Sequence, residues 1–241
     1  MGKRATAGLL WCGVLLSGLV LPSTPLGGQE VSSPFSGSLS FLVGDPRGEF
    51  AAYVDAGYGA ELTGRVAMDP AGFLSLRGDL GFMIYGYESK RVCLSRTVGC
   101  RVQARLNTSN NILFAGIGPE LALPNPWMRP YVNAFVGFSY FNTTSSLEDT
   151  WDREDVFTTE NLGDGSFAWG VGGGVEVRLS RGRVPVSLNL GARYHENGLM
   201  EYLREGDIVD HPDGSITLYP IVSEANLISY RFGVSVGIPR G

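Results

Sequence analysis

The chain has 241 residues, a formal net charge of −5, no more than 18% charged residues, and 34 glycines. An acidic balance with no basic cluster argues against nucleic-acid binding. Lys90 is the one lysine beyond the first few residues, an odd composition for a protein whose whole exterior must be wetted by water.

The N-terminus has the three-part layout of a secretory signal peptide. Lys3 and Arg4 precede an apolar run from Ala5 to Leu21, and Pro22, Ser23, Pro25, Gly27 and Gly28 follow. The expected division is a signal peptide over residues 1–28 and a mature domain over 29–241. Beyond it no stretch is long and apolar enough for a membrane helix. Barrel strands escape such a search because half of their residues face inward.

The rest of the chain alternates. Phe35, Leu39, Phe41 and Val43 share one face of a first strand, opposite Ser36, Ser38 and Ser40. It ends at Asp45-Pro46-Arg47-Gly48, which has turn chemistry. A long second strand is expected from Phe50 to Met68, with Phe50, Ala52, Val54 and Tyr58 on the apolar face and Asp55, Glu61 and Arg65 opposite. After Asp69-Pro70-Ala71-Gly72, a third strand runs from Phe73 to about Glu88, with Arg77 and Asp79 on its inner side.

A loop carrying Cys93 and Cys100 follows. In an exported protein this pair most simply forms a disulfide, and its spacing matches no zinc motif. Strand four, Asn111 to Leu121, points Glu120 inward, and strand five covers Pro130 to Phe141. A polar insertion from Asn142 to Gly165 leads to strand six, Ser166 to Ser180, with Glu176 and Arg178 inside. Strand seven begins at Val184 and carries Arg193. After a second insertion, about Glu196 to Ala225, Asn226 to Ile238 forms the closing strand with Arg231 inside. In the second insertion Leu199, Met200, Tyr202 and Leu203 are expected to make an apolar patch that rests on lipid or on a partner.

Eight strands with short turns after the even ones and longer loops after three, five and seven predict an all-β fold. It is an eight-stranded antiparallel up-and-down transmembrane β-barrel with short periplasmic turns and longer external loops. The inner face, rich in Gly, Ser and Asn with isolated charges, is a packed lumen rather than a solvent face.

The Gly-rich alternating runs Phe167 to Leu179 (FAWGVGGGVEVRL) and Tyr230 to Ile238 (YRFGVSVGI) resemble the small eight-stranded outer-membrane barrels of the OmpA and OmpX-like class. The resemblance covers essentially all of the mature chain. It implies a bacterial outer-membrane location, with membrane lipid, lipopolysaccharide and the barrel assembly machinery as partners. One departure stands out: Gly237-Ile238-Pro239-Arg240-Gly241 lacks the terminal aromatic residue that such barrels commonly present to that machinery.

The inward charges Asp55, Glu61, Arg65, Arg77, Asp79, Glu120, Glu176, Arg178, Arg193 and Arg231 form the candidate site. Shielded charges need partners, and arginine pairs carboxylates through two parallel hydrogen bonds. The favoured reading is a salt-bridged lumen in a structural or adhesive protein that presents its loops to a surface ligand still to be identified, with no enzymatic activity, cofactor or metal. Two alternatives stay open. One is a narrow pore or small-ligand barrel. The other is a lipid-modifying enzyme, since His195 and Asn197 look distantly similar to the lipid A deacylase barrels, with Ser223 or Ser229 as nucleophile and Glu196 or Glu201 as acid.

Overall fold

The computed structural model describes residues 33–93, 103–149, 155–180, 184–211 and 215–238. The signal-peptide segment, Cys100 and residues 150–154 lie outside the described residues. Eight antiparallel strands close on themselves: β1 (Phe35–Pro46), β2 (Gly57–Ala67), β3 (Leu74–Cys93), β4 (Gln103–Ala122), β5 (Met128–Asp149), β6 (Asp155–Ser180), β7 (Val186–Glu196) and, as the closing strand, β12 (Leu227–Ile238). Each pairs with its neighbour in sequence. The ring shuts where β12 pairs with both β7 and β1, as in Phe41↔Phe232 and Val234↔Leu188. Closure leaves no free edge around the wall, the condition for a sheet to stand in hydrocarbon.

Alternation sets the two faces, because successive side chains of a strand point to opposite sides. Leu39, Phe82, Ile117, Phe138, Phe167, Val171 and Phe232 project outward, Leu39 at 63% exposure. Ser38, Arg77, Glu120, Asn133, Arg193 and Arg231 are buried inside. An apolar exterior around a charged interior is the reverse of a water-soluble barrel. Glycine makes the narrow lumen fillable: a Cβ on Gly81 would stand 2.0 Å from the Phe114 ring, and one on Gly116 2.6 Å from Phe135.

The wall is lopsided. β3 to β6 contain 20, 20, 22 and 26 residues, against 12, 11, 11 and 12 in β1, β2, β7 and β12. Much of what reads as polar loop in the sequence is strand that continues past the ring. The bulge between Ile84 and Gly86 resets the inward phase of β3 as it does so.

Two sequence expectations fail at the long-loop end. Strand two does not begin at Phe50: a 3-10 turn, Phe50–Ala52, intervenes, and β2 starts at Gly57. Phe50 and Val54, expected on the lipid face, are buried instead. The backbone folds inward through Tyr53 N–H and Val54 N–H, both donating to the Phe50 carbonyl. Residues 196–225 also fold back. They form a hairpin of β8 (Leu199–Tyr202) with β11 (Ile221–Glu224), and a smaller one of β9 (Ile208–Asp210) with β10 (Ile216–Leu218). Met200, Tyr202 and Leu203 are completely or almost completely buried, so only Leu199 of the expected apolar patch is exposed.

Candidate functional site

The lumen contains two side-chain assemblies. Toward the short turns and through the middle lies a network of ion pairs. Glu61 accepts from Arg77 Nη2 and Arg231 Nη1, each at 3.2 Å, and Arg193 Nη1 stands 3.5 Å away. Asp79 accepts from Arg77 Nε at 2.9 Å, from Arg193 Nη2 at 2.7 Å and from Thr63 Oγ1 at 2.7 Å. Glu120 accepts from Arg65 at 3.1 Å, Arg77 at 3.0 Å and Arg129 at 2.8 Å. Glu176 pairs with Arg65 and Arg129 and accepts from Ser235 Oγ at 2.8 Å.

These contacts cross the lumen, since Arg65 on β2 reaches Glu120 on β4 and Glu176 on β6. Arg65 and Arg77 are directly opposite in the β2–β3 register, a like-charge pair that would be unfavourable alone. Sharing Glu120 relieves it.

These contacts join eight of the ten candidate charges. Asp55 is not among them: it lies in the exposed segment between the 3-10 turn and β2, because the chain there is not yet strand and the alternation does not apply. Arg178 is half-buried near the end of β6. Arg129 was missed, although its phase with Tyr131 and Asn133 places it inward. Its position beside Pro130, at the edge of a turn, hid it.

Toward the long loops the lumen is apolar. Phe50 sits at the centre of an aromatic group, edge-on to Tyr85, Phe141 and Tyr202 at centroid distances of 5.8, 5.9 and 5.1 Å. Leu42, Met83, Ile112, Phe114, Met200 and Leu227 complete the cluster. Its polar tips are satisfied: Tyr85 Oη donates to the Leu203 carbonyl, and Tyr202 Oη lies 2.8 Å from Ser223 Oγ. Asn197 pins the returning hairpin by donating from Nδ2 to the Ala225 carbonyl at 2.7 Å and accepting from Ser139 at 2.8 Å.

His195 lies between the two assemblies, against the rings of Phe114 and Phe135. Its Nε2 is 2.8 Å from Ser229 Oγ, a base within reach of a hydroxyl. His195 is 2% exposed and Ser229 0%, so the pair lies inside the packed lumen. Glu196 instead accepts from Tyr194 Oη at 2.7 Å. Cys93 ends β3, and its expected partner Cys100 falls outside the described residues.

A closed eight-stranded barrel with an apolar exterior and a filled polar interior defines the class: a transmembrane β-barrel of the kind that spans bacterial outer membranes. No protein-family model and no curated protein matches the chain. Among solved structures it is similar to neisserial surface protein A, at 13% identity over 86% of this chain and 97% of that one, with a TM-score of 0.45. It is also similar to Ail, the attachment invasion locus protein of Yersinia pestis, solved with the heparin analogue sucrose octasulfate, at 10% identity over 84% and 96% of the two chains and a TM-score of 0.43. The N-terminal β-barrel domain of Pseudomonas aeruginosa OprF shows 11% identity over 85% and 98%, with a TM-score of 0.33. Strand order and register define the class without these likenesses.

Proposed function

We propose that this chain is an integral outer-membrane protein whose barrel is a closed, rigid mount for external hairpins, with a structural or adhesive role and no enzymatic one. The observation that carries this reading is the double filling of the lumen. Arg77, Arg193 and Arg231 are among the largest fully buried side chains at one end, and Phe50, Phe141, Tyr202 and Met200 at the other. Eight strands enclose little more room than side chains can fill.

In this reading the long-loop end faces outward and the short turns face the periplasm. The extended β3–β4 and β5–β6 ribbons are then the parts available to a surface ligand. A Cys93–Cys100 disulfide closes the first ribbon, and alkylation of both thiols only after reduction is the mass-spectrometric result expected. Membrane lipid and lipopolysaccharide surround the wall, and the barrel assembly machinery inserts it.

The decisive test is conductance in a planar bilayer. The purified protein should insert and stay electrically silent, and a steady large pore would overturn the reading. A heat-modifiable gel mobility in detergent is expected as well. A chain that stays folded and soluble without detergent would end the membrane assignment.

A further inference from the structure

Among the described residues, the charges joined in the lumen network do not balance. The ion-pair network joins four carboxylates, Glu61, Asp79, Glu120 and Glu176, to five guanidiniums, Arg65, Arg77, Arg129, Arg193 and Arg231. The excess has a location. Arg65 and Arg129 share Glu120 and Glu176, and Arg77 donates to Glu120 as well. Among the described residues Arg193 and Arg231 meet no carboxylates but Glu61 and Asp79, and they share these with Arg77.

Within that trio the hydrogen bonding is unequal. Arg77 uses all three nitrogens, donating to Asp79, Glu120, Glu61 and Thr63. Arg193 and Arg231, at 1% and 0% exposure, do not. Arg193 Nε and Arg231 Nε and Nη2 find no acceptor among the described residues, and Arg193 Nη1 faces Glu61 Oε2 without a hydrogen bond. The hydroxyl of Ser40, on the strand that pairs with β12, is likewise buried without a partner. Ser40 opposes Gly233, two residues from Arg231.

Unbonded guanidinium N–H groups in a site shielded from water are costly, and an uncompensated positive charge there is costlier. Water could satisfy the N–H groups but would leave the charge. An anion satisfies both. The excess is one positive charge, which selects a monovalent species over a doubly charged oxyanion, and the tight packing selects a small one.

We propose that the lumen holds a small monovalent inorganic anion of the chloride class, bound against Arg193 and Arg231 with the Ser40 hydroxyl as a neutral donor. The anion makes the network neutral and completes the hydrogen bonding of the two arginines. Because the site lies beneath the aromatic assembly, the anion is taken up as the barrel closes rather than exchanged freely afterwards.

The test refolds the full chain from urea into detergent in sodium chloride, sodium bromide or sodium methanesulfonate at matched ionic strength and reads the urea midpoint of the folded gel band. Chloride and bromide should raise the midpoint to a plateau that methanesulfonate does not reach, as for any ligand bound only by the folded state. Arg231→Gln, which leaves four cations with four anions, should lose this halide dependence wherever its own midpoint falls. Arg47→Gln, at an exposed position paired with Asp45, should keep it. Crystals grown in bromide supply a second measurement that needs no variant: one anomalous peak lying between Arg193 and Arg231. Absence of that peak, a midpoint indifferent to the anion, or equal halide dependence in Arg231→Gln would each overturn the proposal.

Discussion

The two ends of the lumen are filled by opposite chemistries. Toward the short turns, fully buried arginines are held by carboxylates that come from facing strands, so the filling ties the wall together across its diameter. Toward the long loops, Phe50, Met200 and Tyr202 arrive on segments outside the eight-stranded ring and pack chiefly through apolar contact. The first assembly belongs to the wall. The second is laid onto it, and the wall's backbone ladder is complete without it. The ion pairs therefore join wall strands to one another, and apolar burial holds the added segments at the long-loop end.

Substitutions can separate the two. The largest effect is expected for Glu61→Gln. It leaves Arg193 with Asp79, Arg77 with Asp79 and Glu120, and takes from Arg231 its ion pair with Glu61, and breaking a buried ion pair typically costs about 3–5 kcal/mol. The urea midpoint of the folded gel band should fall sharply, and an unchanged midpoint would mean that the network does not hold the wall.

Phe50→Ala should come next. Deleting a buried phenylalanine typically costs about 3–5 kcal/mol, but here much of the loss should appear as local opening. Proteolysis and hydrogen exchange should increase over residues 47–56 and in the β8–β11 hairpin while the heat-modifiable band persists. If the whole barrel unfolds with Phe50→Ala, the two ends are one cooperative unit. The double variant Glu61→Gln with Phe50→Ala sharpens this, since independent ends give additive losses.

Arg231→Leu should cost less, about 1–3 kcal/mol on the scale of a lost charged hydrogen bond, because Glu61 keeps Arg77 and Arg193. Asp55→Asn is its control: at an exposed position outside the network it should change the midpoint by no more than about 0.5 kcal/mol.

The smallest effect concerns pH. In the Asp69-Pro70-Ala71-Gly72 turn, the Asp69 carboxylate accepts from the Leu74 N–H at 2.5 Å and the Phe73 N–H at 3.2 Å. Gly72, at φ 77°, takes the left-handed conformation that the turn requires. The backbone bond from Leu74 is the main cause that holds the carboxyl below its usual value. The turn's stabilisation is therefore present above the ordinary carboxylate range and is lost as pH falls through the lowered value. Protection of the Leu74 amide should drop on acidification, and Asp69→Asn should remove that pH dependence.

Most of the architecture was legible because a membrane barrel repeats one physical rule. Period-two alternation sorted Leu39, Phe82 and Phe232 outward and Glu61, Arg77 and Arg231 inward. The alternation also gave the count of eight strands, and the parity of long and short connections agreed with it except at the short first loop. The rule failed where the chain leaves the ring: Phe50 is in phase with the lipid face yet caps the lumen, because a 3-10 turn has no two-residue period. Tyr202 and Met200 read as loop because their burial depends on a surface that the barrel itself creates. Arg129 was in phase and was overlooked beside a turn.

By itself, then, the sequence determined which side chains enter the lumen, since strand geometry is local and each residue's face follows from its neighbours. Only the tertiary structure decided which of them meet. Arg65 reaches Glu176, and Glu61 gathers three arginines, because strand tilt and closure bring distant positions to one level of the lumen. The same closure buried His195 beside Ser229 and brought Arg193 and Arg231 together around Glu61.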